Sequence, residues 1–315
     1  MKITITGSLG HISKPLTETL VQKGHSVTVI SSKREKQKDI EALGARAAIG
    51  SIEDVNFLTA AFTGADAVYT MVPPPVSFFD HNFDMMANCR LLAHNFAHAI
   101  RRSGVQRVVH LSSVGADLDK GTGLILSHHA VEGIFDDLSD VSITFMRPVA
   151  FYYNLFGFFK GIKMTGMIAS NYGGEDKVAW VAPVDIAAAV AEELMTPIAG
   201  EREDSIVVEQ VRASGGRKVR YVASEELSCN DIASILGAAI GKPDLKWIVI
   251  SDEEMLHGLE AVGMPNQFAA DYVAMNASMH KGELFQDYYL NSPHVPGKLK
   301  MRDFAKEFAA AFKQQ

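Results

Sequence analysis

Between Met1 and Ser31 the chain carries a β-branched run (Ile3 to Thr6), a glycine pair (Gly7 and Gly10), an amphipathic stretch (Ile12 to Lys23) and a second β-branched run (Ser26 to Ser31). Two strands separated by a helix of that length cannot pair as a hairpin. They lie parallel, joined by a right-handed crossover. Pro15 falls in the first turn of the helix, where its missing N–H costs little. The alternation continues, with strands predicted over Arg46–Ile49, Ala65–Met71, Arg107–Leu111 and Ser142–Met146. Helices are predicted over Lys33–Leu43, Asp54–Phe62, Phe78–Ser103 and His128–Leu138. Strands repeatedly separated by helices predict a Rossmann-like, doubly wound parallel α/β sheet covered on both faces.

The rhythm changes after Pro148. Aromatic residues gather at Phe151, Tyr152, Tyr153, Phe156, Phe158 and Phe159. Helices are expected over Val184–Leu194, Ser228–Ala239 (capped by Ser228) and Phe304–Phe312. Ser214 to Arg217 reads as a turn between strands Ile206–Val211 and Val219–Val222. The expected division is a nucleotide-binding domain over 1–150 and a smaller C-terminal α+β lobe over 151–315. The lobe packs on the first domain, partly interleaved, and contributes a substrate pocket.

Composition narrows the classes. Apolar residues are 47% and charged residues 21%, which excludes a disordered chain. Thirty basic against 37 acidic residues give a net charge of −7, which argues against nucleic acid as a partner. The two cysteines, Cys89 and Cys229, exclude a disulfide framework. The N-terminus has no continuous apolar run of the secretory kind. The most apolar stretch, Val149 to Phe159, is too short for a bilayer that needs about 20 residues. The expectation is a cytoplasmic protein with a small-molecule substrate and no membrane partner; a homo-oligomer or a protein partner is compatible with it. His94 and His98 share a helix face but lack a third ligand, so no metal is expected and helix packing is the better reading.

The segment Thr6-Gly7-Ser8-Leu9-Gly10-His11-Ile12-Ser13 lies where the first strand meets the first helix. Gly7 permits a tight turn, and Gly10 lets backbone approach a pyrophosphate. The N–H groups and dipole of the helix then meet the anion. Ser13 stands where a third glycine is usual. A purely structural turn is the competing reading. At the end of the second strand, Ser31, Ser32, Lys33 and Arg34 supply two hydroxyls and two cations, with no carboxylate to accept from a ribose 2′-hydroxyl. That pattern favours NADP(H) over NAD(H), because arginine binds a 2′-phosphate bidentately. The bland alternative is a solvated helix start.

These residues resemble the NmrA-like branch of the atypical short-chain dehydrogenase/reductases. Gly7 and Gly10 match the opening G-x-x-G. His110-Leu111-Ser112-Ser113 is similar to the branch's ending of strand five. Ile143 through Asn154 is similar to its T-x-x-R-P-x-x-F-x-x-N segment, and Trp180 through Ala187 to its V-x-D-I-A segment. Lys300 to Phe304 resembles the start of its terminal helix. Where the branch often has Gly-Asp after strand three, this chain has Gly50-Ser51. The resemblance covers essentially the whole chain. It implies cofactor contacts from Gly7, Ser8, Leu9, Gly10, His11 and Ile12, from Ser31 to Arg34, and from Ser51 and Ile52. It adds Met71, Val72 and Pro73 beside the nicotinamide ribose, then Ser112, Ser113 and Pro148; a rigid exit turn is the other reading of the Pro73–Pro75 run.

The well-known short-chain dehydrogenases use Tyr and Lys four apart on the helix after strand five. No Tyr-x-x-x-Lys exists here; His128 and Glu132 occupy that helix face. The candidate catalytic residues are His128, as a proton donor near neutrality, and Ser112. Glu132 reads better as a structural anchor. The candidate pocket residues are Phe151, Tyr152 and Asn154, with a core role the alternative for the aromatic group. The resemblance implies an NADPH-dependent reductase of a small apolar acceptor such as a quinone or enone. The other function it admits is a non-catalytic NADP-binding redox sensor that engages a protein.

Overall fold

The structure, a computed structural model, describes residues 1–75, 77–196, 216–291 and 296–314. Its centre is a parallel sheet of β1 (Lys2–Ile5), β2 (Ser26–Ser31), β3 (Arg46–Ile49), β4 (Ala67–Met71), β5 (Arg107–Leu111), β6 (Ser142–Pro148) and β10 (Arg217–Val222). Among the described residues the strand order is β10-β6-β5-β4-β1-β2-β3. Chain order reverses around β1, which sits between β2 and β4. In a doubly wound sheet, ligands bind outside the carboxyl ends of the strands at this switch point.

Each face carries its own apolar layer, as a sheet buried on both sides requires. One layer joins Ile3, Ile5 and Val29 to Leu16 and Leu20 of α1 (Ser13–Gln22), Ile40 of α2 (Gln37–Ala42), and Ile186 and Val190 of α7 (Pro183–Met195). The other joins Val68, Val108 and Ile143 to α3 (Val55–Phe62), α4 (Met85–Ser103) and α5 (Leu126–Asp136) through Leu58, Phe96 and Phe135. Burying one such leucine or phenylalanine contributes about 1.5–3 kcal/mol.

Some boundaries and one packing role differ from those expected. The long helix starts at Met85 rather than Phe78, because the Asp84 carboxylate accepts from Ala87 N (2.9 Å) and ends the preceding loop there. Phe78 instead sits on that loop, its ring 5.1 Å from Phe268. The charged segment after β2 opens as a 3₁₀ turn, Arg34–Lys36, before α2. His94 and His98 are exposed on α4, so they do not serve helix packing. The expected strand Ile206–Val211 and the turn residues Ser214 and Gly215 lie outside the described residues.

Beyond β6 come β7 (Ala150–Phe151), α6 (Phe159–Thr165), β8 (Met167–Ser170) and β9 (Lys177–Val181). After β10 follow β11 (Glu225–Ser228), α8 (Cys229–Ala239), β12 (Lys246–Val249), α9 (Asp252–Ala261), α10 (Asn266–His280), α11 (Gln286–Asn291) and α12 (Met301–Gln314). Two small sheets form here, β11-β9-β7 and β12-β8. Ser228 caps α8 in a reciprocal box with Asp231. Along α12, Met301, Phe304, Ala305 and Phe308 are buried, one helical stripe packed on Tyr152, Phe156 and Phe159. Asp185, at the start of α7, holds the approach to this helix. It accepts from Ser224 Oγ (2.7 Å), Lys298 N (3.0 Å) and Leu299 N (3.1 Å). Because β10 is an edge strand of the central sheet and follows α7, the later half of the chain is woven into the first.

Candidate cofactor site

The loop leaving β1 is pinned on both sides. Ser8 N donates to Ile30 O of β2 (3.1 Å), and Met71 N of β4 donates to Thr6 Oγ1 (3.0 Å). Gly7 has φ +87°, and a Cβ there would stand 2.5 Å from Ser13 Oγ, so only glycine fits. Ser8 follows, also left-handed at φ +53°. A Cβ on Gly10 would stand 3.1 Å from Gly7 O, so the loop is tight there. Ser13 performs the third glycine's packing: it is buried and donates to Thr6 O (2.9 Å). The N-cap of α1 is Ile12, which brings no side-chain acceptor to the first turn. In the first turn Lys14 N donates to Gly10 O (3.0 Å), Leu16 N donates to Ile12 O (3.0 Å) and Pro15 has no N–H, so Ser13 N is the helix donor left to meet an anion. A cradle that added Cβ atoms would fill, below an uncapped helix start, fits a cofactor diphosphate.

Ser8 Oγ donates to Ser31 Oγ (2.9 Å), joining the loop to the end of β2, and Ser31 Oγ accepts from Lys33 N (3.2 Å). Ser32, Lys33 and Arg34 follow on the exposed surface. Gly50 is forced by Phe57, whose ring would lie 2.5 Å from a Cβ. Ser51 turns its hydroxyl to Glu53 N (3.1 Å), and buried Asn95 holds that turn by donating to Glu53 O (3.1 Å). Ile52 lies partly buried beside them. Met71 packs against Gly7, with Sδ 3.0 Å from where a Cβ would be, and Val72 and Pro73 leave the sheet edge from there. Leu9 packs partly buried on the core, and His11 is exposed at the rim.

The neighbouring strand ends carry a buried polar network. Arg147 of β6 forms a bidentate pair with Glu132 of α5 through Nε–Oε1 (3.0 Å) and Nη2–Oε2 (2.6 Å). Its Nη1 donates to Tyr221 Oη of β10 (3.1 Å) and faces Asp117 and Asp287 at 3.5 Å each. Tyr221 passes its proton toward Asp287 of α11. Burial alone would lower the Arg147 pKa, but its hydrogen bonds and charge contact with Glu132 raise it above the ordinary value. Ser112, at the end of β5, donates to Glu132 Oε1 at 2.5 Å. A serine has one proton, and this one is committed. In this arrangement Ser112 presents its lone pairs. Glu132 is the anchor expected. Ser113 turns its hydroxyl to Val114 O (3.0 Å), and Pro148 O accepts from Val114 N (3.0 Å).

His128 lies on α5, one turn before Glu132. Burial pushes its pKa down to about 4, and that of His110 on β5 to about 3, His128 adding to the latter shift. His128 is thus a neutral imidazole near pH 7, a hydrogen-bonding group rather than an acid. Of the pocket residues, Phe151 is half-buried and touches Tyr153. Tyr152 is fully buried, its ring on Phe304 and its hydroxyl bonded to Glu225 (3.0 Å), so it belongs to the core between lobe and C-terminal helix. Asn154 is exposed. Sequence reasoning missed Asp117, Tyr221 and Asp287. They lie 30, 74 and 140 residues from Arg147, and no local pattern links them.

Fold and loop together define a Rossmann-like α/β protein with a glycine cradle at its switch point. Residues 1–304 match the NmrA-like family, and the chain belongs to it. The curated NAD(P)H azoreductase of Xenophilus azovorans is 24% identical over 318 residues, spanning 98% of this chain and 99% of its own length. The NADPH complex of an NADPH-dependent quinone oxidoreductase from Escherichia coli has a TM-score of 0.76 at 20% identity, covering 97% of this chain and 99% of that one. The Citrobacter sp. triphenylmethane reductase complexed with NADP(H) has a TM-score of 0.73 at 20% identity, covering 98% and 99%. At these identities the solved structures share the fold.

The depressed histidines set a pH dependence. The unfolded chain takes up protons below about 6.5 that the folded state refuses until about 4, so stability is intact above pH 6.5 and is lost as pH falls toward 4. In denaturant unfolding across that window, His128→Gln is expected to lower the slope of stability against pH by up to one proton per molecule. A slope identical to the wild type would mean that His128 titrates freely.

Proposed function

We propose that this protein is an NADPH-dependent reductase that delivers a hydride to a small, flat, apolar acceptor of the quinone or enone class. The observation that carries the reading is the cradle from Gly7 to Ser13 at the switch point, and the NAD(P)H-linked reductases among its relatives support it. When bound, the nicotinamide supplies the hydride chemistry. The chain's own residues bind and orient. Gly7, Gly10 and the first turn of α1 receive the diphosphate. Ser31, Ser32, Lys33 and Arg34 gather round a 2′-phosphate, and Ser51 and Ile52 border the adenine. Met71, Val72, Pro73, Ser113 and Pro148 border the nicotinamide half, where Ser112 accepts a hydrogen bond. Residues 1–150 carry the cofactor, and the lobe over 151–315 walls the acceptor side, beginning with Phe151.

The committed Ser112 proton and the neutral His128 bear on the choice of acceptor. Reducing a ketone leaves an alkoxide that needs an acid, and a positioned acid contributes about 10²–10⁴-fold. A reduced quinone takes its protons from water. The site therefore suits quinones, and other acceptors that need no protein acid, better than simple ketones. The test is NADPH oxidation by the purified protein with quinones, dyes, enones and simple ketones. Turnover of quinones well ahead of ketones is expected. NADPH binding without turnover of any acceptor would instead favour a non-catalytic redox sensor.

Cofactor choice has its own test. A charge-assisted contact to the 2′-phosphate is worth about 1.5–3 kcal/mol, roughly ten- to a hundredfold in affinity. Lys33→Ala combined with Arg34→Ala should weaken NADPH by that factor and leave NADH nearly unchanged. Equal weakening of both, or a wild type that prefers NADH, would place the 2′-phosphate elsewhere.

A further inference from the structure

Tyr153 stands two residues beyond β7, at the start of the lobe, yet its ring lies on the phosphate loop. It stacks on His11, with centroids 5.2 Å apart and planes at 27°. Phe151 packs against it at 5.1 Å. His11 directly follows Gly10 and precedes the first turn of α1, so the stack puts a phenol beside the backbone that forms the cradle.

The hydroxyl is uncommitted. Tyr152, Tyr221, Tyr288 and Tyr289 donate to Glu225, Asp287, Glu226 and Lys177 O respectively. Tyr153 Oη has no hydrogen-bond partner among the described residues, although the side chain is half-buried. Next to it lies Tyr69 of β4, fully buried, with a hydroxyl that also lacks a partner. Burial pushes the Tyr153 pKa up to about 12. The phenol therefore stays protonated at any physiological pH. It is a poor acid for catalysis, which would need its pKa brought down toward neutrality, but a permanent hydrogen-bond donor.

We propose that Tyr153 is a cofactor-binding residue: its hydroxyl donates to the diphosphate held by the Gly7–His11 loop, so that the C-terminal lobe closes the cradle begun by the first domain. The proposal rests on the dinucleotide reading of that loop. It assigns the lobe a part in holding the phosphates as well as in walling the acceptor.

The test is titration of NADPH and NADH into wild type and Tyr153→Phe, with melting of both proteins measured without cofactor. Phenylalanine keeps the ring on His11 and removes only the donor. Both cofactors should weaken by the same factor, about tenfold, because the diphosphate is common to them. The cofactor-free melting temperature should not change. Unchanged affinities would overturn the proposal while leaving the loop reading intact. So would loss confined to one cofactor, or a loss accompanied by a lower cofactor-free melting temperature. A wild type that binds neither cofactor would overturn the loop reading, and the proposal with it.

Discussion

The site edge depends on one buried cation. Arg147, with 8% of its side chain exposed, is met by Glu132 in a two-point pair, by Tyr221 Oη, and by the carboxylates of Asp117 and Asp287. These partners come from α5, β10, the β5–α5 connection and α11. A buried ion pair is costly to desolvate and adds little net stability over an apolar substitute. Removing one partner, however, leaves an uncompensated charge and costs about 3–5 kcal/mol. The arrangement therefore acts less as a source of stability than as a constraint. It holds the ends of β5, β6 and β10 in one register.

That constraint has chemical consequences. Glu132 accepts the proton of the Ser112 hydroxyl. One turn earlier on α5, His128 is kept neutral by burial. The helix face that carries a Tyr–Lys pair in the well-known short-chain dehydrogenases holds here a neutral imidazole and a carboxylate already paired with arginine. Neither group is laid out as the tyrosine of that pair would be.

The sheet was legible in the sequence, because its strands are short, largely apolar runs that alternate with helical stretches. Ser26–Ser31, Arg46–Ile49 and Arg107–Leu111 fall where the pattern puts them. The start of α4 was not: the apolar periodicity from Phe78 onward looks helical, while one Asp84 side chain decides where the helix begins. The Gly7–Ser13 loop is contained within one contiguous segment, so its glycine turn could be read from the sequence. The polar network could not, since Asp117, Arg147, Tyr221 and Asp287 meet only through the fold. Tyr152 and Tyr153 show the limit most sharply. Adjacent aromatics look alike in sequence, yet the backbone sends one into the core against Phe304 and the other onto His11.

The proposed cofactor site depends above all on the Gly7–Ser13 loop receiving a dinucleotide diphosphate. The most direct test is calorimetric titration of NADPH into the wild type and into Gly10→Val, whose branched side chain would crowd the loop where it is tight. Saturable one-to-one binding is expected of the wild type, and a loss of tenfold or more, about 1.4 kcal/mol or greater, in a variant that remains folded. Equal affinity in the two proteins would contradict it.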